Sequence, residues 1–170
     1  MAAPRSGVTG DPGGLRPGRF QGEAAWTEQV RAALATARQQ GWDRLILSDE
    51  DFDGWPLREA ALVADLHAWA RPGRRMLILM RDHRVLVQHH PRFVMWRRQW
   101  DHLVECRAAG PKHPVASACW GSGACVWRSD RLSSEGLVVQ EARQIRAFEL
   151  ALMDLSGVAR PAFAATTLGL

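Results

Sequence analysis

Asp49, Glu50, Asp51 and Asp53 follow directly on the apolar run from Arg44 to Ser48. Carboxylates at the carboxyl end of a strand lie where open α/β sheets hold their ligands, so this cluster is the first place to seek a site. A second group is basic and aromatic: Arg92, Arg97 and Arg98 are interleaved with Trp96 and Trp100. Guanidinium and indole groups together can clamp a single-stranded nucleic acid by charge and stacking. The third group is the histidines, five of which fall between His83 and His113. No pair of them recurs at the i, i+4 spacing of a metal-binding helix and no Cys-x-x-Cys accompanies them, so loop and surface positions explain the set better than a metal.

Each of the other two groups also has a plainer reading. Aspartates are common where a loop enters a helix, so the acidic cluster fits a solvated turn with Asp53 as a helix N-cap. The basic segment fits a helix that buries its tryptophans and turns its arginines to water. It remains the strongest candidate for contact with a phosphate-bearing partner.

The elements that must position these groups follow from periodicity. Trp26, Val30, Leu34 and Ala37 recur at helical spacing from Glu23 to Gln40, and Gly41 supplies a stop. A strand runs from Arg44 to Ser48, then a helix from Trp55 to Ala70 with Pro56 in its first turn, ending at the pair Pro72 and Gly73. The run Arg75 to Met80 is a second strand. Residues 83–90 fit either a strand or a helix, whereas Pro91 with the spacing of Phe93, Trp96 and Trp100 indicates a helix. A third strand covers His102 to Arg107. The stretch from Pro114 to Asp130 reads as a hairpin around a glycine-rich turn. Val138, Ala142, Ile145, Phe148 and Leu152 then mark a long helix ending at Gly157.

The resulting expectation is an α/β domain over residues 23–157: one mostly parallel sheet with helices on its faces, a C-terminal β-hairpin and a closing long helix. Residues 1–22, rich in Pro, Gly and Arg, read as a disordered arm, and residues 158–170 as an apolar tail suited to packing on the domain or on a partner. A length of 170 residues with 46% apolar content suffices for one core. The net charge of +4 comes almost wholly from arginine, with Lys112 the only lysine, and is too small and too dispersed to indicate nucleic-acid binding by itself. No apolar run is long enough for a membrane span, and the N-terminus has no apolar signal core, which predicts a cytoplasmic protein. Cys106, Cys119 and Cys125 fit that reducing setting. A disulfide between Cys119 and Cys125 requires Trp120 to pair with Ala124 and is disfavoured. Neither G-x-G-x-x-G nor G-x-x-x-x-G-K occurs, which speaks against those two nucleotide-binding routes.

The succession of motifs nonetheless resembles a bacterial group with a phospholipase-D-like domain. It is carried by Ser48 to Phe52, Ala70 to Leu79 (A-R-P-G-x-R-x-x-I-L), His90 to Phe93, Glu105 to Arg107 and Ala164 to Leu170. The resemblance implies the fold of half a phospholipase D. Catalytic members use a His-x-Lys pair and a downstream Asp in a site shared between two units. No His-x-Lys occurs in this sequence; Lys112 and His113 are adjacent, and the strand that should carry the pair, Val115 to Cys119, bears no charge. The expectation is therefore a binding or scaffold module with no catalytic residue and no cofactor, contacting a phosphate-bearing ligand or nucleic acid and, because relatives pair two units, forming a homodimer.

A rival resemblance comes from the acidic cluster, since a strand followed by D-x-D is similar to the opening of haloacid-dehalogenase-like phosphatases. That resemblance implies Asp49 as nucleophile, Asp51 as acid and base, both as Mg²⁺ ligands, and Lys112 as the accompanying cation. The hydroxyl expected after the second strand is missing, because that strand ends in Met80, Arg81 and Asp82.

Overall fold

The computed structural model describes residues 14–164. The apolar runs seen in the sequence become the centre of one eight-stranded sheet, because each of them is covered on both faces and can bury consecutive residues. In chain order the elements are β1 (Gly18–Phe20), α1 (Glu23–Gln40), β2 (Arg44–Ser48), α2 (Ala60–Trp69), β3 (Arg75–Met80), α3 (Arg84–His89) and α4 (Pro91–Gln99). A short 3₁₀ turn (Asp101–Leu103) then leads into β4 (Val104–Ala108), β5 (Ser117–Gly121), β6 (Ala124–Asp130), β7 (Glu135–Val139), α5 (Ala142–Val158) and β8 (Arg160–Pro161). Across the sheet the order is β1-β7-β6-β5-β2-β3-β4-β8.

The three strands read as crossover-linked, β2, β3 and β4, are the parallel ones. Pairings of β5 with β2 and of β8 with β4 are antiparallel, as are those within β5-β6-β7-β1, so the sheet is mixed. Side-chain alternation divides the core. Leu45 and Leu47 pack with Trp26, Val30 and Leu34 of α1, Leu62, Leu66 and Trp69 of α2, and Phe93 and Trp96 of α4. Ile46, between them, faces Ile145 and Leu152 of α5 on the other side. Among the described residues no helix is long and apolar enough to cross a membrane.

Several local expectations change. The helix expected from Trp55 begins only at Ala60, because Trp55 and Leu57 are drawn into the core. Asp53 is consequently no N-cap; its carboxylate lies 3.4 Å from His89, and Glu59 holds the cap position without a side-chain bond. Residues 84–89 are helical. Val138 belongs to a strand and not to the last helix: it pairs with Val126 on one side and Gly18 on the other, and the helix starts only at Ala142.

Within the stretch read as an N-terminal arm, Leu15 is buried and Gly18–Phe20 extends the sheet along β7; residues 1–13 lie outside the described part. In the stretch read as a tail, Arg160–Pro161 pairs with β4, and Phe163 stacks on His83 with ring centroids 5.1 Å apart. Residues 165–170 lie outside the described part. The hairpin turn is tighter than the disulfide required, since Gly121 pairs with Ala124 and Trp120 with Cys125. That register sends Cys119 to the α1 face and Cys125 to the α5 face, and both remain free thiols.

Candidate functional site

The acidic cluster sits at the carboxyl edge of β2, as expected, but Asp49 does not face solvent. Its side chain is fully buried. The chain turns back over it: Asp51 N and Phe52 N donate to Oδ1 at 3.3 and 3.1 Å, and Phe52 adopts a left-handed φ of 64°. The Oδ2 atom accepts from Trp55 Nε1 at 3.0 Å, Ser117 Oγ at 2.5 Å and Arg128 Nη2 at 2.8 Å. Arg131 Nη2 adds a contact to Oδ1 at 3.3 Å. A carboxylate offers about four lone-pair sites, and here they are all taken.

The supports of this cluster come from four parts of the chain. Ser117 opens β5 opposite Arg128 of β6, and Arg128 Nε donates to Ser117 Oγ at 2.9 Å. The Arg128 guanidinium lies 4.3 Å from the Trp26 ring centroid on α1, and Trp26 meets Trp55 edge-on at 5.1 Å. Burial alone would raise the Asp49 pKa. The hydrogen bonds from Ser117 and Trp55 and the charges of Arg131 and Arg128 outweigh it and hold the carboxyl below its ordinary range. Burial acts on Arg128 in the opposite sense and lowers its pKa, against the attraction of Asp49.

The neighbouring acids are also committed. Asp51 accepts from Arg131 at 2.7 Å. Glu50 is gripped by Arg81 Nε at 2.5 Å, and this hydrogen bond is the main reason its pKa is lowered. Arg81 in turn donates to the carbonyls of Gly110 and His113, each at 2.8 Å, which fixes the loop carrying Lys112. Lys112 lines a separate cavity of about 490 Å³ with His113 and Arg160. Asp49 and Asp51 thus share Arg131, Asp51 keeping its other carboxylate oxygen without a bonded partner among the described residues, and Lys112 lies in a cavity that neither of them lines.

The basic aromatic segment is likewise divided. Trp96 and Arg97 are buried, while Arg92 and Arg98 are exposed. Arg97 donates to Cys106 Sγ at 3.3 Å and stacks on Phe163 at 4.8 Å, and Trp100 packs against His67 and His102. His90 is buried and contacts the Phe52 carbonyl, so it braces the Asp49 loop. Among the described residues no three His, Cys, Asp or Glu side chains gather where a metal ion would fit.

Ser117 and Arg128 escaped the sequence reading because neither belongs to a motif. The available signal was Arg128 itself, a charge at an inward position of the strand Ala124–Asp130, which demands a buried counter-charge.

No family model matches the sequence, and no curated protein matches it. Solved structures do. The archaeal chromatin protein TrmBL2, whose structure shows a novel mode of DNA binding, superposes with a TM-score of 0.66 at 14% identity, over 91% of this chain and 56% of that one. Polyphosphate kinase from Porphyromonas gingivalis gives 0.59 at 10% identity, over 88% of this chain and 27% of the kinase. The phospholipase D family member Nuc from Salmonella typhimurium gives 0.57 at 12% identity, over 88% of this chain and 100% of Nuc. This chain shares its fold with a phospholipase D family member. It spans about half the length of the chromatin protein and about a quarter of the kinase. Val115 to Cys119, the uncharged stretch singled out in the sequence, includes Ser117, which is bound to Asp49.

Proposed function

We propose that this chain is a non-catalytic phospholipase-D-like module that binds the phosphate backbone of nucleic acid. The observation that carries the first half is the saturated Asp49: a carboxylate held by Ser117, Trp55 and Arg128 has no lone pair for a nucleophilic or metal-assisted step. The second half rests on Lys112, His113 and Arg160. They share one cavity at the carboxyl edge, no Asp or Glu lines it, and none of the three has a carboxylate partner among the described residues. Phosphate oxygens suit such a set. The DNA binding of the chromatin protein and the phosphate chemistry in the kinase's name agree with this choice of ligand.

The test has two arms. Hydrolysis of bis-p-nitrophenyl phosphate with and without Mg²⁺ should show no turnover attributable to the protein; turnover that co-elutes with the folded protein overturns the non-catalytic half. Anisotropy with a fluorescent single-stranded oligonucleotide should show affinity falling with salt, and Lys112→Ala with Arg160→Ala should reduce the log–log slope by about 0.7 per lost contact. Salt-independent binding, or none, overturns the other half. Pairing of two chains belongs to the same proposal, with the exposed Leu150, Met153 and Val158 of α5 as the apolar surface for it; light scattering from a strict monomer at micromolar concentration removes it.

A further inference from the structure

Helices α2 and α4 lie side by side and start at the same end. Arg92 Nη1 donates to the Arg58 carbonyl at 3.0 Å where both begin, and Trp100 Nε1 reaches His67 Nδ1 at 3.4 Å where both finish. Between them runs a groove of about 550 Å³. One wall is Ala60, Ala64 and Ala68, at i, i+4 and i+8 on a single face of α2; Val63 and Trp96 form its interior, and Met95, 70% exposed, its far lip. Trp96 is itself 3% exposed and keeps its indole N–H without an acceptor among the described residues. A wall of alanines lets another backbone approach closely, and the ten residues of α2 make a groove about 15 Å long, the length of three helical turns.

Charge narrows the occupant. Arg58 and Arg92 are exposed at the leading end, no ion pair among the described residues holds either, and no Asp or Glu lines the groove. The same groove on a second copy is concave and free of carboxylates, so two grooves facing each other complement neither shape nor charge. Nucleic acid has no use for an alanine and valine wall, and the buried Trp96 gives bases nothing to stack on. We propose that the α2–α4 groove docks an amphipathic helix of a partner protein, with apolar residues at i, i+4 and i+7 entering the groove and Glu or Asp at the end facing Arg58 and Arg92. This surface is independent of the Lys112 and Arg160 cavity.

The probe is a pair of fluorescent three-turn helical peptides with the same leucine stripe, one flanked by Glu and the other by Lys. Anisotropy should give the Glu peptide an affinity at least about tenfold higher than the Lys peptide, with Arg58→Glu plus Arg92→Glu reversing that order. Ala64→Trp, which fills the groove from an exposed position, should abolish binding while leaving the melting temperature close to that of the parent. Failure of the Glu peptide to bind, equal binding of the two peptides, or full binding by Ala64→Trp overturns the proposal. Displacement of the peptide by an oligonucleotide, or self-association that Ala64→Trp removes, overturns it in favour of nucleic acid or a second copy.

Discussion

Arg128 and Asp49 form an ion pair 2.8 Å long whose side chains are 4% and 0% exposed. Such a pair repays its desolvation only while both members are present and fully bonded, and breaking one side strands a buried charge. Asp49→Asn should therefore cost about 3–5 kcal/mol of unfolding free energy, read from urea denaturation at neutral pH. Replacing both partners together, Asp49→Leu with Arg128→Met, should cost less than either single change. A double variant at least as unstable as the sum of the singles would show that the two side chains contribute independently and do not compensate each other.

Acid should act on the same cluster. The folded pKa of Asp49 lies below its unfolded value of about 3.9 despite burial, through the bonds from Ser117 and Trp55 and the nearby arginines, and that of Glu50 lies below about 4.3 mainly through Arg81. A depressed folded pKa contributes stability that is complete above the unfolded pKa and drains as pH falls through the folded one. In urea midpoints, the part owed to these two acids should be complete down to about pH 5 and then drop, with Glu50→Gln flattening part of that drop, while His90, whose pKa burial lowers from 6.5, adds a decline of its own that begins at higher pH. Identical acid limbs for parent and variant would exclude Glu50 as a contributor.

The thiols should be silent in the native protein. Burial pushes Cys119 up to about 12 and Cys125 well above its ordinary value, and both lack the cationic surroundings that make a thiolate. Labelling with an uncharged alkylating reagent should follow global unfolding for these two and be prompt in denaturant. Fast native labelling of either would show that the α1 or α5 face opens locally.

Gly136 should not accept a side chain. A Cβ there would run into the Trp127 carbonyl oxygen on one side and the Phe20 ring on the other. Gly136→Ala should cost about 1–3 kcal/mol, and pairing it with Phe20→Ala should not restore stability, because the backbone oxygen cannot move away. Restoration by the double variant would place the whole clash on the ring.

What the sequence disclosed was local or periodic. The stripe of Trp26, Val30, Leu34 and Ala37 and the runs Arg44–Ser48 and Arg75–Met80 read correctly because their burial is consecutive or regular. Gly18–Phe20 was invisible, since three residues carry no period and their strand exists only because β7 offers an edge. Val138 fitted a helical series by coincidence of spacing with Ala142 and Ile145. Asp49 was legible as a carboxylate at a strand end. Its counter-charge, 79 positions away, was not, because only the register of Ser117 against Arg128 brings that guanidinium inward.

The outer strands have a kinetic consequence. Gly18 pairs with Val138 and Arg107 with Pro161, each across a long stretch of chain, whereas β2, β3 and β4 are joined by single crossovers. Strands β1 and β8 bring only three and two residues, too few to hold a closed loop until the rest of the sheet is in place, so the two margins should zip last. Until they do, β7 and β4 present bare ladders able to recruit another chain, and the yield of refolding depends on how quickly five residues of β1 and β8 arrive.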